Sequence, residues 1–177
     1  RDSIPDETKN MLKSLGISQV YIVGGKAVVS SSVESALAGL TTVKKRLAGP
    51  DRYGTSVRVA EEFFPGEGDA LLVSGLDENL ADSIGACIYK LPILYVKRET
   101  LPEAVQNFLK GSLRYGSTVR IMGGTAAVGR SVESAVNSLL AGAEGEDSVT
   151  YKVRDVTITT DPADVSSLDN SAQVEVT

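Results

Sequence analysis

The sequence predicts an α/β fold in which a parallel sheet and its helices form three layers, Rossmann-like or Toprim-like in type. Short, continuous apolar runs alternate along the chain with segments of helical period. Continuous apolar runs are typical of parallel strands that are buried on both faces. The connections are short, and strict alternation of this kind favours a parallel sheet with helical crossovers. The α/β domain is expected to occupy residues 1–145.

The individual elements follow from these two periods. The apolar runs predict five strands, at residues 20–23, 43–48, 70–73, 93–96 and 119–122. The helical spacing predicts six helices, at residues 6–15, 32–40, 54–64, 79–91, 103–113 and 131–140. Pro5 and Pro102 suit the first turn of a helix, and Gly16 suits a helix C-terminus. Start and stop signals therefore agree with the periodicity.

Two stretches of the chain echo each other. Residues 24–35 are similar in sequence to residues 123–134, each position 99 residues later. Residues 5–13 are similar to residues 102–110. A spacing near 100 residues is the size of a small domain and is longer than a solenoid repeat. The chain is therefore expected to carry one full repeat unit preceded by half of another, as in a tandem array.

The composition changes after residue 140. Small and acidic residues form a linker, and residues 148–177 then alternate apolar and polar positions without helical period. Such alternation is typical of strands. Residues 146–177 are therefore expected to form a β-rich segment, either the start of an Ig-like domain or an arm that contacts a partner.

Composition excludes several classes of function. A net charge of −5 and a pI of about 4.8 argue against nonspecific nucleic-acid binding. No apolar run approaches the ~20 residues of a membrane span. The chain has no His, which excludes Ser-His and Cys-His nucleophile systems. Cys87 stands in an apolar run and is expected to be buried. No catalytic residue, metal ion or cofactor is predicted.

Two glycine pairs follow predicted strands and precede predicted helices. They are Gly24-Gly25 and Gly123-Gly124. This is where α/β proteins cradle phosphate with backbone N–H groups. Neither pair belongs to a GxGxxG sequence, so a tight turn with close packing of strand and helix is favoured over a phosphate site.

The most distinctive polar string covers residues 46–55. Asp51 is expected to cap the following helix, Tyr53 to close over the turn, and Arg52 to reach across the strand ends towards Asp82. This arrangement suits either a structural ion pair or an arginine fork for an anionic ligand. Asp82 and the acids at 77 and 78 lack the spacing of a cation site, so capping is favoured over metal binding.

These strings, taken in order, resemble the type 2 cell-wall-binding repeat family. The matching segments are residues 46–55, Ser74-Gly75 with Asp82, residues 92–94, and the two echoing segments 20–34 and 119–133. The resemblance covers about residues 4–142. The sequence departs from the family pattern at Tyr95 and around Ile84 and Gly85.

The resemblance implies an extracellular module of the cell wall or surface layer, without catalytic activity. It implies that the module anchors or assembles a surface-layer-type protein by binding an anionic cell-wall polymer. Because the chain is acidic overall, such binding needs a local basic groove. The expected polymer-binding residues are Arg52, Asp51, Tyr53, Asp82, Lys97 and Arg98.

Two alternative functions remain open at this stage. One is a packing module that contacts neighbouring surface-protein domains or copies of itself and binds no polymer. The other is an α/β protein that binds a phosphate or nucleotide at the glycine turns.

Overall fold

The computed structural model describes residues 2–79, 84–143 and 155–156. The helices are α1 (Asp6–Ser14), α2 (Ser31–Ala38), α3 (Arg52–Phe63), α4 (Glu103–Ser112) and α5 (Arg130–Ala143). The strands are β1 (Gln19–Val23), β2 (Thr42–Leu47), β3 (Ala70–Ser74), β4 (Ile93–Val96), β5 (Val119–Met122) and β6 (Asp155–Val156). Within these residues no helix is long and apolar enough to span a bilayer.

The fold is mixed α/β with parallel sheets, as predicted. Every strand pairing is parallel, but the strands form two sheets, β1–β2 and β4–β3–β5–β6. The expected single sheet is therefore split in the part of the chain that the structure describes. Lys44 and Lys45 are exposed on β2, in the smaller sheet. Charged residues on a strand keep its edge in water and oppose further pairing.

The main core lies between the four-stranded sheet and three helices. All five residues of β3 are buried, since this strand lies between β4 and β5. Side chains of α3, α4 and α5 join one face of the sheet in a single apolar cluster. On the other face Leu71, Val73 and Met122 pack with Ala86. The sheet is therefore buried on both faces, which matches the continuous apolar runs of its sequence.

The first 40 residues are much less buried than the matching residues of the second repeated segment, about 100 positions later. Helix α1 has no buried residue, and Met11 and Leu15 are 58% and 64% exposed. Helix α4, its counterpart 97 residues later, buries Val105 and Leu109 completely. The difference arises because α4 packs into the core of a four-stranded sheet, whereas β2 is the one strand beside β1 in the part of the chain that the structure describes.

The predicted helix at residues 79–91 is wrong in its second half. Cys87–Tyr89 is a 3-10 helix, and Lys90 ends it with a positive φ of 54°. Cys87 is exposed, which corrects the expectation that it is buried. Ile84 and Ile88 are each 75% exposed, so within this run Ala86 faces the core and the two isoleucines do not.

Part of the C-terminal segment joins the sheet. Asp155–Val156 forms β6, which pairs in parallel with Ile121 and Met122 of β5. The other residues of the predicted 146–177 segment lie outside the described residues. The Ig-like domain or interaction arm stays a prediction, as does the boundary at residue 145.

Candidate functional site

The polar string begins with a tight turn that starts α3. Asp51 accepts a hydrogen bond from the Gly54 N–H at 2.8 Å, which caps the helix as predicted. Thr55 Oγ1 accepts from the Gly49 N–H at 3.0 Å and donates to the Asp51 carbonyl at 2.8 Å. A Cβ on Gly49 would lie 2.3 Å from the carbonyl carbon of Gly54. The turn therefore depends on direct contact between two glycine backbones. This contact sets the position of the Arg52 backbone at the start of α3.

Arg52 reaches across the strand ends, but its partner differs from the expected one. The guanidinium donates to the Gly75 carbonyl at 2.5 Å and to the Asp77 carboxylate at 2.6 Å. The hydrogen bond and charge of Asp77 raise the pKa of Arg52 above its ordinary value. Asp82, the partner expected from the sequence, lies outside the described residues. Much of the Arg52 charge is therefore balanced locally.

Tyr53 and Lys97 meet above the end of β3. A Cβ on Gly75 would lie 2.7 Å from Cε1 of Tyr53, so the missing side chain makes room for the ring. Lys97 Nζ lies 5.7 Å from the centre of that ring, a cation–π distance. Among residues 2–79, 84–143 and 155–156, no carboxylate forms an ion pair with Lys97. Lys97 is therefore a cation available to a ligand.

Arg98 takes a different direction from Lys97. Its Nε lies 3.3 Å from Oε1 of Glu99, and its carbonyl accepts from the Gly129 N–H at 2.7 Å. These contacts connect it to the second glycine turn. The structure therefore brings together Asp51, Arg52, Tyr53 and Lys97 at the carboxyl ends of β2, β3 and β4, whereas Arg98 faces another part of the surface.

A groove of about 700 Å³ lies beside this cluster, between the first glycine turn and the turn that begins α3. Among the described residues that line it, Asp51 and Arg52 are charged, and Val28 and Ile84 are exposed apolar residues on its walls. Sequence reasoning missed the apolar walls, because the run around Cys87 was expected to be buried and Val28 was given no role. The exposed Val28 follows a glycine turn directly, which is the signal that would have identified it.

Both glycine pairs form the same tight turn. Gly24 and Gly123 have φ values of 112° and 101°, which glycine adopts easily. The carbonyls of Gly25 and Gly124 each accept two N–H groups from the start of the next segment, and the Gly24 N–H donates to the Leu47 carbonyl. These amides are engaged within the protein. The geometry thus supports the tight-turn interpretation and gives no support to a phosphate cradle.

Arg46 connects the first glycine turn to the rest of the chain. It donates to the Gly24 carbonyl at 2.7 Å and to the Glu34 carboxylate at 3.0 Å. Its side chain is 14% exposed, so this bridge is well shielded from water. Sequence reasoning treated Arg46 only as the start of the polar string. The repeated Val-Glu pair after each glycine turn was the available signal for its acceptor.

A second junction holds β1 and β2 to α3. The rings of Tyr21 and Phe63 meet edge-on at 4.8 Å, and Lys45 Nζ lies 2.6 Å from the Glu62 carboxylate. The hydrogen bond from Lys45 is the main cause that lowers the pKa of Glu62. The lowered pKa stabilises the fold above the ordinary carboxyl range, and this contribution is lost as the pH falls through the lowered pKa.

We expect Lys45→Gln to raise the pKa of Glu62 towards its ordinary value of 4.5, because the main hydrogen bond to the ionised carboxylate is removed. Titration of the Glu62 side-chain carbonyl by NMR measures this shift. Lys26→Gln, an exposed lysine on the first glycine turn, is the matched control and should leave Glu62 unchanged. An identical Glu62 titration in wild type and Lys45→Gln would contradict the assignment.

Metal binding gains no support from the geometry. Within the residues that the structure describes, no three His, Cys, Asp or Glu side chains converge as metal ligands do. Asp77 is instead engaged by Arg52, which neutralises the carboxylate nearest the strand ends.

Comparison with known proteins assigns this arrangement to a family. Residues 46–133, from the Arg46 bridge to the second Val-Glu pair, match the family model "Cell wall binding domain 2 (CWB2)". The chain belongs to this family. The resemblance noted in the sequence is thereby confirmed, and cell-wall binding is the class of function of the matched residues.

Two curated proteins are similar to this CWB2 chain. N-acetylmuramoyl-L-alanine amidase LytC of Bacillus subtilis (strain 168) is 31% identical over 135 residues, covering 74% of this chain and 26% of its own. An uncharacterized protein of Pyrococcus abyssi is 34% identical over 114 residues, covering 60% of this chain and 34% of its own. The CWB2 chain thus spans only a quarter to a third of the length of these relatives.

Two solved structures are also similar. Cwp8 from Clostridium difficile has a TM-score of 0.64 and 28% identity, over 88% of this chain and 25% of that one. Cwp6 from Clostridium difficile has a TM-score of 0.67 and 24% identity, over 78% of this chain and 22% of that one. The second likeness is one of fold alone.

Proposed function

We propose that this CWB2 chain is a non-catalytic module of the cell envelope that anchors a surface-layer-type protein by binding an anionic cell-wall polymer. The proposed setting is extracellular, in the cell wall or surface layer, and no cofactor is needed. Membership of the CWB2 family supports the class of function. The names of the similar Clostridium difficile and Bacillus subtilis proteins are consistent with the same setting.

The observation that carries the proposed site is Lys97 over the ring of Tyr53, next to Arg52. Ligands of open parallel sheets bind outside the carboxyl ends of the strands, and these residues stand there. A sugar–phosphate or carboxylated polymer offers anions to Lys97, and its ring faces suit the apolar walls of the neighbouring groove. A local cation of this kind lets an acidic protein bind an acidic polymer.

The repeat architecture belongs to the same proposal. We propose that the chain is one full unit preceded by half a unit of a tandem, three-layered array. The equal turn geometry at Gly24 and Gly123 supports this, as do the matched starts of α2 and α5, 99 residues apart. Binding then uses several units side by side, which raises the avidity of weak single sites.

We expect Lys97→Gln to reduce retention on purified cell walls about tenfold, since a hydrogen bond to a charged group contributes ~1.5–3 kcal/mol. Sedimentation with walls of the organism that carries the protein measures retention, before and after chemical removal of the anionic polymer. Lys110→Gln changes the same charge on the exposed surface of α4 and is the matched control.

The outcomes of this assay separate the proposals. Retention that falls with Lys97→Gln and with polymer removal, but not with Lys110→Gln, supports polymer anchoring at this site. Retention that survives polymer removal would contradict an anionic polymer as the ligand. Retention lost on polymer removal but equal in both variants would place the site elsewhere.

A packing role without polymer binding is favoured by one specific observation. Met11 on α1, Leu15 just after α1, and Val23 and Val28 near the first glycine turn are each more than half exposed. Exposed apolar residues are the kind of surface that a protein contact covers. If this role is the correct one, the chain associates with itself or with neighbouring surface domains in sedimentation velocity and is not retained by walls.

A further inference from the structure

We propose that the Gly123 carbonyl and the Glu133 carboxylate form a receptor for the guanidinium of an arginine on the first strand of a further repeat unit. The receptor is an interaction surface between units and is separate from the proposed polymer site. Its occupant is identified by chemistry that the first half of the chain already displays.

The template for this receptor is the Arg46 bridge. Strand β2 lies parallel to β1, with Arg46 opposite Ile22 in the register. From that position the guanidinium donates to the Gly24 carbonyl at 2.7 Å and to Glu34 at 3.0 Å. In the proposed repeat architecture, on which this inference rests, the bridge joins the strand that begins one unit to the glycine turn and helix that end the unit before it.

The second repeated segment contains the same two hydrogen-bond acceptors. Gly123 and Glu133 stand 99 residues after Gly24 and Glu34, on the same turn and in the first turn of the corresponding helix. The hydrogen bonds that close the turn are the same in the two copies. The N–H groups of Ala127 and Val128 donate to the Gly124 carbonyl at 2.9 and 3.0 Å, and their counterparts donate to Gly25 at the same distances.

The acceptors of the second copy are unoccupied in the described part of the chain. Within residues 2–79, 84–143 and 155–156, no side chain donates to the Gly123 carbonyl or to the Glu133 carboxylate. Glu133 is nevertheless half-buried. A partly desolvated carboxylate gains more from a guanidinium than a fully hydrated one does, because it has already lost part of its water.

The strand beside β5 does not bring an arginine to this receptor by register. Ile121 pairs with Asp155, whereas its counterpart Ile22 pairs with Arg46. The position that holds a cation in the first copy therefore holds an acid in the second. A strand that carries the arginine would therefore replace Asp155–Val156 beside β5.

A peptide with the sequence of residues 41–50 tests the receptor, because it contains the arginine in its natural strand. The peptide is titrated into the full chain labelled with ¹⁵N. We expect shifts at the amides of Gly123, Gly124 and Glu133. We also expect about tenfold weaker binding when the peptide carries Arg46→Gln or the chain carries Glu133→Gln. Equal binding by all four combinations, or no shift at these amides at millimolar peptide, would overturn the proposal.

Thermal unfolding of the full chain gives an independent test. Glu34→Gln should lower the melting temperature, because Arg46 loses its carboxylate. Glu133→Gln should leave the melting temperature of the chain alone unchanged and should reduce the increase that the peptide produces. A lower melting temperature for Glu133→Gln without peptide would mean that Glu133 already has a partner in its own chain, and this also overturns the proposal.

Discussion

Replacing Gly49 by alanine is expected to lower the free energy of unfolding by about 3 kcal/mol, the upper end of the usual overpacking range. The added Cβ would lie 2.3 Å from the carbonyl carbon of Gly54, 2.6 Å from the Thr55 nitrogen and 2.7 Å from the Gly54 Cα. All three are backbone atoms at the start of α3. They cannot rotate away as a side chain can, so the turn itself must move.

The displacement has consequences beyond the clash. The Gly49 N–H donates to Thr55 Oγ1 and the Asp51 cap lies inside the same turn, so both hydrogen bonds weaken when the turn moves. Loss of a helix cap alone costs about 1 kcal/mol. Urea unfolding followed by circular dichroism measures the combined effect.

The matched control is Gly111→Ala in α4. No atom lies within 4 Å of a Cβ at this glycine, and it is exposed inside a helix. Alanine is the better helix former by up to ~1 kcal/mol, so this variant should be more stable than wild type. If the two substitutions changed the urea midpoint in the same direction, the contact between Gly49 and Gly54 would not control the turn.

Much of the fold was predictable because the elements that fold on the main core leave a clear pattern. The buried run of β3 and the helical spacing of α4 gave bounds within one residue of those in the structure. Those patterns reflect burial on defined faces, which sequence periodicity measures directly. The segment after residue 79 was predicted less well. Cys87 stands in an apolar run that forms a 3-10 turn and stays exposed.

The sheet split and the ion pairs could not be read from the sequence for a different reason. Both depend on where the chain passes in three dimensions. The proximity of Asp77 to Arg52 is set by the path of the loop after β3, and the sequence offered Asp82 as an equally good acid. Whether a segment forms a helix or a strand depends on its local sequence. Which strand or charged residue it pairs with depends on the path of the whole chain.

Arg46 holds the first 40 residues to the rest of the protein, and Arg46→Met is expected to destabilise their attachment by about 2 kcal/mol. Methionine keeps the apolar length of the side chain but cannot donate to the Gly24 carbonyl or to Glu34. Two shielded acceptors are then left without their donor, and unpaired buried groups cost more than the net gain of a hydrogen bond. The four-stranded sheet has its own core and should remain folded.

Hydrogen exchange distinguishes local destabilisation of the first 40 residues from global destabilisation of the protein. In Arg46→Met, protection should fall at the amides of β1 and at the Gly24 N–H, which donates to the Leu47 carbonyl, and should persist in β3. Lys45→Met removes the neighbouring, more exposed ion pair and should change protection by less than about 1 kcal/mol. Equal losses in the two variants would mean that the strand pairing of β1 and β2 holds the segment. In that case the guanidinium contributes little, and Glu133 would have little reason to recruit an arginine from a further unit.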